Sequence, residues 1–177
     1  MLFPNKITNL NKVQKMVFIS MLIAFALVLG YFEKTFIPVL PFPGVKLGLA
    51  NIITLTSLYF LCFREALLLV VLRVTLNSFF TGSFITIWYS LSGGILSLIA
   101  MYLLIHFSKD KISTTGVSIV GAVSHNVGQL IVVAIMTESI NVAAAYFPIL
   151  AVSGIATGIL IGLTVDYLLP YINRIFR

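Results

Sequence analysis

The chain has 177 residues, 60% of them hydrophobic and only 9% charged, with a mean hydropathy of +1.12. A soluble domain carries about 25% charged and about 45–50% apolar residues, so this composition excludes a water-soluble monomer. The net charge of +6 sits in short loops, which membrane topology explains better than a nucleic-acid partner.

The first apolar stretch, Val17–Phe32, follows a polar N-terminus and lacks a small-residue cleavage site. It reads as a retained helix, not a cleaved signal peptide. It ends in Tyr31-Phe32-Glu33-Lys34, with Glu33 expected in solvent. The segment Ile37–Lys46 holds three prolines and a glycine, so it is stiff and non-helical. It is too apolar for a solvated linker and is expected to fold back over the helix ends.

The next stretches are Leu47–Phe63 and Ala66–Phe80, separated by Arg64-Glu65 as a tight polar turn. A nearly charge-free turn at Thr81-Gly82-Ser83 leads to Phe84–Phe107, which opens with Trp88 and Tyr89 as interfacial aromatics. Gly116–Thr137 and Ala145–Leu169 complete the set, with Pro148 placed in the first turn of the last span, where its missing donor costs little. Six helices of about 20 residues would use about 120 positions. That leaves short loops and one transmembrane domain over residues 1–177.

Lysine and arginine placement sets the orientation. Lys6, Lys12, Lys15, Arg64, Lys109, Lys111, Arg174 and Arg177 fall on one side, and only Lys34 and Lys46 on the other. The expectation is an all-α integral membrane six-helix bundle in the bacterial cytoplasmic membrane, multi-pass, with both termini cytoplasmic and the Pro-rich loop outside.

Small residues recur at helical spacing: Gly154, Gly158 and Gly162 in the last span, Gly93-Gly94 with Ser97 in the fourth, and Ser20 with Ala24, then Ala26 with Gly30, in the first. Such stripes let helix backbones approach closely. They serve either packing within the chain or a seat for a partner membrane protein.

Polar groups inside the spans are costly, so each needs a partner or a wet cavity. Arg73 lies mid-span with Asn77 one turn beyond it on the same face; His125 and Gln129 repeat that spacing, with Asn126 adjoining. Asn51 lies near the outer end of the second span, just after Lys46. On the orientation above these groups share a depth, so four helices are expected to aim polar side chains into one pocket under the Lys46 loop. No acidic residue is expected at that depth. The pocket would then suit a ligand with an anionic or strongly accepting head and an apolar body. Structural roles compete: a salt bridge or carbonyl cap for Arg73, interhelical bonding for His125 and Asn126, and an interfacial anchor for Lys46.

Catalytic signals are missing. There is no GxxxxGK[ST] phosphate loop, the five acidic residues are dispersed, and His106 and His125 lie at different depths, so no metal or cofactor site is expected. No span carries a channel filter motif, and inverted repeats are not evident.

The run Pro43-Gly44-Val45-Lys46-Leu47-Gly48-Leu49-Ala50-Asn51, with Ser92-Gly93-Gly94 and Ser124-His125-Asn126-Val127-Gly128-Gln129, resembles the Gx transporter family. That family is commonly labelled heptaprenyl diphosphate synthase component I, and the resemblance covers nearly the whole chain. The family in turn looks like the substrate-binding S components of energy-coupling factor (ECF) transporters. What this implies is a six-helix protein with an outward pocket beneath the first loop, acting with a coupling membrane subunit and two ATPases. In that plan small residues of the first helix dock onto the coupling subunit; the matching pair here is Ser20 and Ala24, with serine in place of the first alanine.

The synthase label fails as a catalytic assignment. Prenyl-chain elongation in such synthases uses aspartate-rich motifs that hold magnesium, and this chain has only Asp110 and Asp166, far apart. The chain therefore reads as no enzyme. Its substrate-binding residues would be Lys46, Asn51, Arg73, Asn77, His125, Asn126 and Gln129. The ligand would be a small anionic or amphiphilic molecule, linked to isoprenoid or quinone metabolism. The alternative is a non-catalytic membrane partner or regulator of a prenyl diphosphate synthase, and a self-sufficient facilitator is a third reading.

Overall fold

The computed structural model describes residues 11–36, 48–82, 84–108 and 112–175. They form six helices: α1 (Lys12–Phe36), α2 (Ala50–Phe60), α3 (Phe63–Thr81), α4 (Ile85–Ser108), α5 (Thr114–Met136) and α6 (Ile140–Ile175). The expected loop Ile37–Lys46, and with it Lys46, lies outside the described residues, as do Lys6, Lys109, Lys111 and Arg177.

Local chemistry explains the helix ends. Asn11 N–H donates to the Gln14 side chain at 3.1 Å, half of a capping box at the start of α1. At the start of α3, the Glu65 carboxylate accepts from Cys62 N–H at 3.0 Å. The break between α2 and α3 therefore falls at Leu61-Cys62, and Arg64 and Glu65 lie in the first turn of α3 instead of forming the turn themselves. Gly82 ends α3 with a left-handed φ of 66°. The Ser113 hydroxyl accepts from Gly116 N–H at 3.1 Å and caps α5.

Two expectations about length are corrected. α6 begins at Ile140, so Pro148 lies inside the helix, and so does Pro170. The run Ala143-Ala144-Ala145 is strongly helix-forming and carries the helix back past the proline. Among membrane helices such prolines are tolerated, because neighbouring groups take up the freed carbonyl. α2 is also shorter than expected: its 11 residues span about 16 Å.

Contacts show that consecutive helices alternate in direction. Lys15 pairs with Glu65 at 2.5 Å at one end of α1 and α3, while Gly30 lies against Asn77 at the other. Phe18 meets Phe60 edge-on across α1 and α2. Phe63 meets Tyr102, and the Ser78 and Thr86 hydroxyls are 3.4 Å apart, so α4 returns along α3. Tyr89 donates to Met136 Sδ at 3.2 Å across α4 and α5.

The short α2 sits at the centre, in contact with α1, α3, α4 and α6. Ile52 through Ser57 are buried around the whole circumference, and the Thr56 and Ser57 hydroxyls donate to the carbonyls of Ile52 and Thr54, each at 2.7 Å. Leu55, Leu69, Val70, Leu98 and Val165 form the innermost core. Outside, large apolar side chains such as Val13, Phe25, Phe79, Trp88, Phe107, Val152 and Leu163 are exposed. In water such a surface would aggregate, and in lipid it is the proper exterior. α1, α4, α5 and α6 are each long and apolar enough to cross a bilayer. The chain is an all-α, multi-pass membrane protein.

The glycine stripes lie inside the bundle. A Cβ at Gly158 would stand 2.6 Å from Ile119 Cα, and one at Gly162 would stand 2.5 Å from Thr115 Cα. α6 therefore rests backbone to backbone on α5, which accounts for that ladder by packing within the chain. Gly93 and Gly128 do the same for α4 and α5, where a Cβ on Gly128 would lie 2.8 Å from Gly93 Cα. Ser20 and Ala24 behave differently: both are exposed.

Candidate functional site

Arg73 projects from the middle of α3 and is only 9% exposed. Its Nη2 donates to Asn51 Oδ1 at 3.0 Å, joining the first turn of α2 to α3. Its Nε–H has no hydrogen-bond partner among the described residues. An unmatched donor in a buried guanidinium is costly, and it calls for an acceptor beyond the described residues.

Asn51 is placed by the backbone before it. Gly48 takes a left-handed φ of 69°, and Asn51 N–H donates to Gly48 C=O at 2.7 Å, closing a turn into α2. Glu33, in the last turns of α1, clasps that turn. Its carboxylate oxygens accept from Gly48 N–H at 2.7 Å and Leu49 N–H at 2.9 Å. A carboxylate at a helix N-terminus satisfies free donors and meets the positive end of the dipole. The charge of Glu33 also acts on Arg73.

This overturns one sequence expectation: Glu33 is half-buried instead of solvated. The cause is the length of α1, which continues to Phe36, so Glu33 lies inside the helix and not beyond its end. Asp166, by contrast, is exposed.

Asn77, one turn after Arg73, lies beside α1: its amide is 3.8 to 3.9 Å from where a Cβ on Gly30 would stand. Asn51, Arg73, Asn77 and Glu33 thus form one polar group at the meeting of α1, α2 and α3. On the far side of α3, Gly94 of α4 makes room: a Cβ there would meet Val70 at 2.9 Å and Arg73 Nη2 at 3.9 Å.

The adjacent Gly93 receives His125 of α5, whose ring atoms Cε1 and Nε2 would lie 3.0 Å from a Cβ at that position. Gly93-Gly94 therefore separates Arg73 from His125, and both stand at that level of the bundle. Gln129 is buried one turn further along α5, near the contact where the Ser92 hydroxyl donates to Gly128 C=O at 2.8 Å. Asn126 faces α6. Its amide donates to Leu150 C=O at 2.7 Å and lies against Gly154. The expected constellation is thus resolved into a polar group around Arg73, His125 and Gln129 on the α4 to α5 seam, and Asn126 as an interhelix bond.

A shallow groove of about 570 Å³ runs along α1, lined by Val13, Met16, Val17, Ser20, Met21 and Ala24. Ser20 and Ala24 are the small residues that give it depth. Among the described residues, no group of three or more histidine, cysteine, aspartate or glutamate side chains is placed to hold a metal ion.

The match to the family model for heptaprenyl diphosphate synthase component I spans residues 22–168. The chain belongs to that family. The matched range runs from the core face of α1 to near the end of α6, so it includes every described residue of the site. No curated protein and no solved structure matches the chain.

Proposed function

We propose that this protein is the substrate-binding membrane subunit of an ECF-type uptake transporter. Its ligand is a small molecule with an anionic or strongly accepting head and an apolar body. The observation that carries this reading is Arg73: a guanidinium buried among helices, held by Asn51, with an N–H left for an incoming acceptor. Intramembrane arginines are expensive and usually mark a functional path.

In this reading Arg73 and Asn77 grip the head group, Asn51 orients the guanidinium, and His125 and Gln129 contribute from the α4 to α5 seam. Lys46 closes over the site from the loop. The helices cross the bilayer with both termini cytoplasmic, and the exposed α1 groove at Ser20 and Ala24 receives a coupling membrane subunit driven by two ATPases. The chain itself catalyses nothing.

The test is Arg73→Ala in purified protein. Ligand recovered with the wild type should be absent from the variant, while the variant remains folded by circular dichroism. Unchanged ligand recovery would return Arg73 to a structural role.

The description of the family favours a second reading, a non-catalytic membrane partner of a prenyl diphosphate synthase. It requires a cytoplasmic face near Lys109, Lys111 and Arg174 that binds a soluble enzyme, and it makes the Arg73 centre dispensable.

A further inference from the structure

Arg73 is a buried cation whose partner Asn51 stands on the turn that Glu33 clasps. The Glu33 carboxylate holds two backbone donors of that turn, on Gly48 and Leu49, and its charge bears on Arg73. Those bonds pin Glu33, because withdrawing it would strand both N–H groups at the start of α2. The Arg73 Nε–H meanwhile lacks an acceptor among the described residues. The centre is therefore short of an acceptor, while a carboxylate is bonded to the turn that carries Asn51.

We propose that Glu33 is the charge-selecting residue of this site, making it take an uncharged acceptor head, such as an amide or ketone carbonyl, in preference to a carboxylate or phosphate. The inference rests on Arg73 being a ligand contact and narrows the head group of that ligand. A carbonyl oxygen satisfies Nε–H without adding charge. An anion satisfies it too, but it brings a like charge beside Glu33 where little water screens the repulsion. Sequence alone leaves an anionic and a strongly accepting head both open, because it counts Arg73 and Lys46 without Glu33.

Benzamide and benzoate share one ring and differ in head-group charge, so they serve as probes. Their binding to purified protein in detergent is measured by ligand-observed NMR for the wild type, Glu33→Gln, Glu33→Asp and Arg73→Gln. The wild type should bind benzamide more tightly. Glu33→Gln should move the benzoate-to-benzamide ratio at least tenfold toward benzoate, Glu33→Asp should keep the wild-type ratio, and Arg73→Gln should lose both probes. Lys46 is common to all four proteins and cancels in the comparison.

An unchanged ratio in Glu33→Gln, with both probes still lost in Arg73→Gln, would overturn charge selection and leave the ligand reading standing. Binding of neither probe to the wild type, or retention of both by Arg73→Gln, would overturn both readings. Should Glu33→Gln fail to fold, the wild type decides alone: tighter benzoate overturns the inference.

Discussion

Arg73, Asn51 and Glu33 act as a unit, and the order in which they depend on one another can be measured. Glu33 fixes the turn at Gly48, the turn fixes Asn51, and Asn51 fixes the guanidinium. Gly48→Ala tests the middle link. Its φ of 69° costs an L-residue about 1–2 kcal/mol, and the new Cβ would stand 3.1 Å from the Asn51 amide. The variant should melt at a lower temperature and bind ligand more weakly than the wild type; equal affinity would mean that Asn51 does not set the site. The residue types and spacing of Arg73, Asn77 and Asn51 were legible in the sequence because charge in an apolar helix is conspicuous. Glu33 was not, because the apolar run stops at Phe32 while the helix does not.

At the scale of elements, glycine decides how closely the helices meet. α5 is held between α4 and α6 by contacts in which backbone touches backbone, at Gly93 with Gly128 and at Gly158 with Ile119. Gly158→Leu should destabilise the protein by about 1–3 kcal/mol, the usual cost of overpacking, read as a lower melting temperature in detergent. A neutral result would mean that α6 can slide on α5. The pattern of small residues announced close packing, but it could not distinguish an inner stripe from an outer one. That distinction needs the neighbours: Gly158 faces Ile119, whereas Ser20 and Ala24 face outward into the α1 groove. The interior position of Pro148 was missed for a related reason, since hydropathy marks where a span is apolar and not where a helix starts. Six helices were legible because each apolar run is bounded by polar or turn-forming residues. The brevity of α2 was not, because its flanking leucines are apolar whether helical or not.

At the scale of the whole molecule, the alternating helices place the starts of α1, α3 and α5 at one end, together with Cys62, the single cysteine and an exposed one. With both termini cytoplasmic, a membrane-impermeant maleimide should label Cys62 in inside-out vesicles and not in right-side-out ones. The reverse pattern would invert the topology and turn the Arg73 centre toward the cytoplasm. Docking is tested separately from folding: Ser20→Leu with Ala24→Leu fills the α1 groove without touching the core. That variant should keep the wild-type melting temperature and lose its membrane partner, and retention of the partner would move the docking face elsewhere. The most direct measurement is purification from native membranes at native expression in a mild detergent, with mass spectrometry of everything that accompanies the chain. A coupling membrane subunit with two ATPases is the result expected of a substrate-binding subunit, and a prenyl diphosphate synthase without any ATPase would contradict it.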